Sequence, residues 1–144
     1  MEPKIEKIEE IVIAVKNADE AASYFKDLFG LNFEYEWEIE REKIRVKSVL
    51  IGGTQFQFIE PTDSESVVYK FLQTKGEGLN HLAFRVSNLD EMVKKLKKKG
   101  VKLVPNDIIE VNANGMPTSG SKVRFIFIHP KSAYGTLIEL IEII

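Results

Sequence analysis

Residues 9–15, EEIVIAV, place Ile11, Ile13 and Val15 at one parity and Glu10, Val12 and Ala14 at the other. Two-residue alternation rich in Val and Ile predicts a strand. Asn17 follows as a helix N-cap with Glu20 three residues on, a variant of the capping box, because an Asn oxygen can accept an otherwise unpaired amide of the first turn. Ala21, Ala22, Phe25, Leu28 and Phe29 then recur at helical spacing until Gly30. Alternation resumes over 33–39 and 44–51, Gly52-Gly53 turns the chain, and 54–60 forms another strand ended by Pro61. A helix over 64–75 buries Val67, Val68, Phe71 and Leu72 and stops at Gly76.

The pattern then restarts. Residues 79–86 read as a strand, and Asn88 is expected to cap a helix whose apolar stripe is Leu89, Met92, Val93 and Leu96, closed by Gly100. A short strand over 102–104 precedes a stretch, 106–122, that reads largely as loop because of Asn114-Gly115, Pro117 and Gly120. Strands over 123–128 and 136–141 complete the chain. Laying Glu10 over His81 superposes Val15 on Val86, Asn17 on Asn88 and Asp19-Glu20 on Asp90-Glu91. The closing strands match as well, with 54–60 lying over 136–142. The chain is an internal repeat whose halves each read strand, helix, strand, strand, strand, and neither half has the core to stand comfortably alone. The expected class is α+β. Two repeated βαβββ modules, about 5–61 and about 78–144, are joined by a linking helix at about 63–75 within one domain spanning 1–144. They are expected to form a curved, mostly antiparallel sheet around a cleft with helices outside.

The faces turned away from the helices carry polar side chains. Glu10 and His81 occupy equivalent places on the opening strands, and Gln57 and Glu139 on the closing strands. Small neighbours, Ala14 and Ala83, leave room beside them. Carboxylate, amide and imidazole ligands suit a hard, six-coordinate divalent ion with open positions. A solvated sheet face accounts for the same alternation.

Composition narrows the chemistry. The 144 residues include no cysteine, which excludes disulfides, thiolate metal sites and cysteine nucleophiles. Lys+Arg is 20 and Asp+Glu 22, a net charge of -2, so no nucleic-acid partner is expected. No apolar run approaches the roughly 18 residues needed to span a bilayer, so no membrane partner is expected either. The start, Met1-Glu2-Pro3-Lys4, lacks an apolar signal core, and a cytoplasmic location is the expectation. The run 94–99, KKLKKK, reads as the solvated back of a helix, with the phosphates of a ligand as the alternative contact. His129, before Pro130, reads as a loop-ordering residue or a substrate contact, and Lys131 and Ser132 as substrate contacts. Trp37 and Tyr35 read as core or interface packing.

Four segments carry a resemblance to a known family: Ile11-Val12-Ile13-Ala14-Val15 with Asn17; Thr54-Gln55-Phe56-Gln57; Gly76-Glu77-Gly78-Leu79-Asn80-His81; and His129-Pro130-Lys131-Ser132 leading to Gly135-Thr136-Leu137-Ile138-Glu139-Leu140. The chain resembles the vicinal oxygen chelate (glyoxalase/bleomycin resistance/dioxygenase) superfamily, and within it the methylmalonyl-CoA epimerases. The resemblance covers nearly the whole chain. It implies paired modules and a divalent metal cofactor, cobalt or manganese first, with zinc, nickel or magnesium as alternatives. Its metal ligands fall on Glu10, Gln57, His81 and Glu139. It implies an acyl-CoA substrate and a metal-stabilised enolate; Glu139 is the first candidate base, and Glu10, which module symmetry puts on a different strand, is the second. A homodimer is also implied, and an exposed edge strand in each module makes self-pairing plausible. The sequence departs from the epimerase pattern at Glu10 and Asn80, where those enzymes carry histidines, and at Val46, where some carry a second glutamate. Two ionised carboxylates would cancel the formal charge of a bound divalent ion. Two other activities fit the same residues: a glyoxalase I-like, metal-dependent isomerase or lyase, and a non-catalytic small-molecule binder. An extradiol dioxygenase needs two histidines on one face, and the chain has only His81 and His129.

Overall fold

The computed structural model describes residues 2–144 and contains eight strands and three α-helices. In chain order these are β1 (Lys4–Ala14), α1 (Ala18–Phe29), β2 (Tyr35–Ile39), β3 (Ile44–Ile51), β4 (Thr54–Pro61), α2 (Val67–Lys75), β5 (Gly78–Ser87), α3 (Leu89–Lys98), β6 (Leu103–Asn112), β7 (Lys122–Ile128) and β8 (Ile138–Ile143), with a 3-10 turn at Pro130–Ser132. Hydrogen bonding orders the strands β2-β3-β4-β1-β5-β8-β7-β6. The β2–β3, β3–β4, β6–β7 and β7–β8 pairs are antiparallel and β5–β8 is parallel. The α+β class, the βαβββ repeat and the mostly antiparallel sheet are as the sequence predicts. Among the described residues no helix is long and apolar enough to cross a membrane.

Two compact units are present. One comprises Ile11–Asn80 with Gly115–Pro117; the other comprises the chain up to Glu10, His81–Asn114 and Thr118–Ile144. In the first, α1 lays Ala18, Ala22 and Phe25 against Val15, Val49 and Phe58. Alternation sends the other side chains of the same strands to the opposite face, where Val12, Ala14, Val46 and Ile59 meet Val68 and Leu72 of α2. Trp37 and Tyr35 belong to this second cluster, so both are packing residues. In the other unit, α3 packs Leu89, Val93, Met92 and Leu96 on Val86, Leu103, Ile126 and Leu140.

Asn17 caps α1 as expected, its side chain accepting the Glu20 amide at 3.0 Å. Asn88 does not cap α3. It adopts a left-handed conformation (φ 57°) and makes no side-chain cap hydrogen bond. The Leu89 amide is taken instead by Glu142 Oε2 at 3.2 Å. The stretch expected to be loop is strand as far as Asn112, so the short strand predicted at 102–104 is the start of a ten-residue β6. Pairing with β7 shifts register between Val104 and Ile109. Pro105, which has no amide to donate, sits in that irregularity on an edge strand, where a ladder tolerates proline.

Candidate functional site

Strand β1 delivers Glu10, β5 delivers His81 and β8 delivers Glu139. Each offers a ligand atom, and these atoms all lie within 4.8 Å of one another. His81 Nε2 is 3.2 Å from Glu139 Oε1. Glu10 and Glu139 are both 8% exposed, and Ala83, between His81 and Arg85 on β5, is fully buried. The His81 ring stands edge-on to Phe127, centroids 5.3 Å apart and planes at 81°. Phe127 is directly opposite Glu139 in the β7–β8 register, so one aromatic ring walls both groups.

Two carboxyl groups and an imidazole in so small a volume have an electrostatic signature. Burial, and next the neighbouring Glu139 carboxylate, push the Glu10 carboxyl well above the ordinary carboxylate range; His81 opposes the shift, while Glu9 and a hydrogen bond with Glu139 add to it. Without a cation Glu10 therefore gives up its proton less readily than an ordinary carboxyl. A divalent cation would remove that repulsion, and carboxylate oxygen with imidazole nitrogen is a donor set that fits hard or borderline ions such as manganese, cobalt or zinc.

Gln57 lies on β4 in the other compact unit, 4% exposed. Its amide nitrogen donates to Gln55 Oε1 at 2.8 Å, and the Ser48 hydroxyl donates to the same oxygen at 3.0 Å. Ser48 is fully buried and Gln55 is 3% exposed. Sequence reasoning passed over both residues. Gln55 shares the face of Gln57 by parity alone, whereas Ser48 becomes visible only from the register that sets it opposite Gln57. Glu9, 4% exposed, was also passed over; its Oε1 lies 3.8 Å from Arg85 Nη1 and 3.9 Å from Lys7 Nζ.

The remaining candidates lie in the turn after β7 and along α3. His129 precedes the 3-10 turn and accepts the Lys131 amide on Nδ1 at 3.1 Å, which orders the loop. Ser132 Oγ accepts the Lys102 amide at 3.0 Å. Lys131 is exposed. Lys94, Lys95, Lys97, Lys98 and Lys99 are exposed while Leu89 and Val93 are buried, the solvated helix back that the sequence predicts.

Known proteins resemble this chain along nearly its whole length. A methylmalonyl-CoA epimerase structure from Mycobacterium tuberculosis superposes with a TM-score of 0.85 at 34% identity, covering 97% of this chain and 89% of that one. A structure of methylmalonyl-CoA epimerase in complex with methylmalonyl-CoA and NH4+ gives a TM-score of 0.85 at 26% identity, covering 96% and 95%. The mitochondrial methylmalonyl-CoA epimerase of Mus musculus is 29% identical over 95% of this chain and 73% of its own length. Residues 9–118 match the family model for the glyoxalase/bleomycin resistance protein/dioxygenase superfamily, and the chain belongs to that superfamily.

Proposed function

We propose that the chain is an acyl-CoA epimerase acting on methylmalonyl-CoA or a close homologue. The observation that carries this reading is the Glu10–His81–Glu139 group, its two glutamates buried and its histidine half-buried, with all its ligand atoms within 4.8 Å. Glu10, His81, Glu139 and Gln57 are the proposed ligands of a divalent ion, cobalt or manganese first; Gln57 joins them on its repeat position, which matches Glu139. Such an ion, when bound, supplies positive charge to stabilise an enolate oxygen, worth several kcal/mol.

The residues handle the proton. Glu139 takes it from the carbon α to the thioester: the C–H bond breaks, its electron pair moves into the thioester carbonyl and the proton goes to the carboxylate. Glu10, on a different strand, returns a proton to the opposite face and closes a new C–H bond. No net proton is consumed.

The test is deuterium uptake at the α carbon of methylmalonyl-CoA in D2O. The parent protein should exchange it, and Glu139→Gln should slow exchange by about 10²- to 10⁴-fold with an unchanged circular dichroism spectrum. An undiminished rate in that variant removes Glu139 from the reaction. A second reading has one observation in its favour. The Glu10–Glu139 hydrogen bond can hold the two carboxyls together without a cation, as a metal-free small-molecule binder would need. Elemental analysis of protein purified without chelator separates the two: about one ion per chain supports the epimerase, and none supports the binder.

A further inference from the structure

We infer that Gln55 is the positioning residue that fixes the direction of the Gln57 amide, with Ser48 fixing Gln55 in turn. The inference rests on the proposed role of Gln57 as a ligand.

An amide has two unlike ends. Its oxygen can ligate a cation, whereas its NH2 group, carrying two donors and partial positive charge, repels one. A glutamine ligand therefore needs a partner that holds the nitrogen away, and a glutamate, whose two oxygens are equivalent, does not. The two modules differ in just this respect. Beside Gln57 stand two further buried polar groups in one chain: Ser48 Oγ donates to Gln55 Oε1 at 3.0 Å, and Gln57 Nε2 donates to that same oxygen at 2.8 Å. Both donors converge on one carbonyl oxygen, so Gln57 nitrogen is occupied and Gln57 Oε1 is the end left to serve as acceptor. At the matching places beside Glu139 the second module has Phe127, opposite it in the register, and Leu137, two residues before it. An apolar flank suffices for a symmetric carboxylate.

Burial sharpens the point. Ser48 is 0%, Gln55 3% and Gln57 4% exposed. Three polar side chains on an otherwise apolar face that includes Val46 and Ile59 weaken a core unless they satisfy one another. Packing alone would be served as well by leucine, as at Leu137.

The experiment is titration of the metal-free full-length protein with Mn2+, followed by electron paramagnetic resonance of the free ion, for the parent, Gln57→Leu, Gln55→Leu and Gln55→Glu. Removing a group that orients a ligand weakens metal affinity by about 10- to 100-fold. Gln55→Leu should show a loss of that size. Gln55→Glu should recover to within about threefold of the parent, because a carboxylate accepts from both Ser48 and Gln57; a purely space-filling role for Gln55 would not produce this rescue. Unchanged Mn2+ affinity in Gln55→Leu, with a loss in Gln57→Leu, overturns the positioning role alone. Unchanged affinity in Gln57→Leu overturns the ligand role of Gln57, and the inference with it. Side-chain amide hydrogen exchange in the parent gives an answer that depends on no leucine variant folding. The Gln57 NH2 signal, assigned by its loss in Gln57→Glu, should exchange at least tenfold more slowly than that of the exposed Gln73, and equal rates overturn the inference.

Discussion

Strand pairs β3–β4 and β7–β8 occupy the same place in the repeat, yet they surround their central residues with opposite chemistry. On the first pair Ser48 faces Gln57 across the ladder; on the second Phe127 faces Glu139. One is a hydrogen-bonded polar chain, the other a carboxylate walled by an aromatic ring. Farther along, the two pairs converge again. Arg45 faces Glu60 and also bonds Asp19 of α1, while Arg124 faces Glu142 and also bonds Asp90 of α3. In both modules the closing-strand glutamate accepts an amide at the start of a helix: Ala18 N–H to Glu60 Oε1 at 2.7 Å, and Leu89 N–H to Glu142 Oε2 at 3.2 Å. The frame of a module is thus kept by an arginine that ties helix N-terminus to sheet, and divergence is concentrated where the candidate ligands sit.

The largest break in this comparison comes from exchanging ligands without their surroundings. Gln57→Glu gives the first module the ligand type of the second, but it removes the donor that Gln55 Oε1 accepts and sets two acceptors at the 2.8 Å contact. Buried polar groups left without partners cost about 1–3 kcal/mol. Urea unfolding of the metal-free variant should show a stability loss of that size. An unchanged midpoint would mean that the polar chain contributes nothing to the fold.

Local signals explain what was legible in the sequence. Residues 44–51 alternate cleanly between turn signals, and β3 has those bounds; Asn17 and Gly30 bracket α1 as their chemistry requires. The repeat register pairs Glu10 with His81 and Gln57 with Glu139, and the structure brings Glu10, His81 and Glu139 together. Contacts between distant segments were not legible. The Ser48–Gln55–Gln57 chain depends on cross-strand register, which sequence parity does not encode. Asn88 looked like a cap because its type and spacing match Asn17, but Glu142, 53 residues away from Leu89, takes the amide. Residues 106–112 lack clean alternation because β6 is an edge strand with a register shift, so its ladder imposes little pattern.

A smaller effect distinguishes the modules by pH. Asp19 and Asp90 are held below the ordinary carboxylate range, chiefly by hydrogen bonds from Arg45 and Arg124. Depressed pKa values stabilise the fold above the unfolded value near 3.8, and that contribution is lost as pH falls below it. Glu10 has the opposite sign. Its raised pKa means the folded protein binds the extra proton, so stability is fully present below 4.5 and declines as pH rises through the folded value. In metal-free protein the aspartates should therefore contribute an acid limb and Glu10 an alkaline limb of at most about 1.4 kcal/mol per pH unit. Glu10→Gln should abolish the alkaline limb and leave the acid limb intact. Thermal melts from pH 3 to 8 would show this, and an alkaline limb that persists in the variant would remove Glu10 as its source. Mn2+ should also flatten the limb in the parent, because binding takes the deprotonated carboxylate.

The smallest effect tests whether the two arginine ties are equivalent. They share a plan but not a reserve. In the first module Lys47 Nζ also reaches Asp19 Oδ1 at 2.8 Å and Glu36 Oε1 at 3.5 Å, so two cations serve the same acidic pair. In the second, Lys122 pairs with Glu110 at 3.2 Å, and it is Arg124 that bonds Asp90 at 2.9 Å and Glu142 at 2.8 Å. Glu142 also caps α3, and its side chain and that of Arg124 are each only 20% exposed, so screening by water is incomplete there. Arg124→Met should cost about 1 kcal/mol in urea unfolding. Arg45→Met should cost less, because Lys47 remains to hold Asp19. Adding Lys47→Met to Arg45→Met should cost more than the two single changes summed, since each cation covers for the other's absence. Strict additivity would show that Lys47 holds no reserve, and that the two modules are fastened alike.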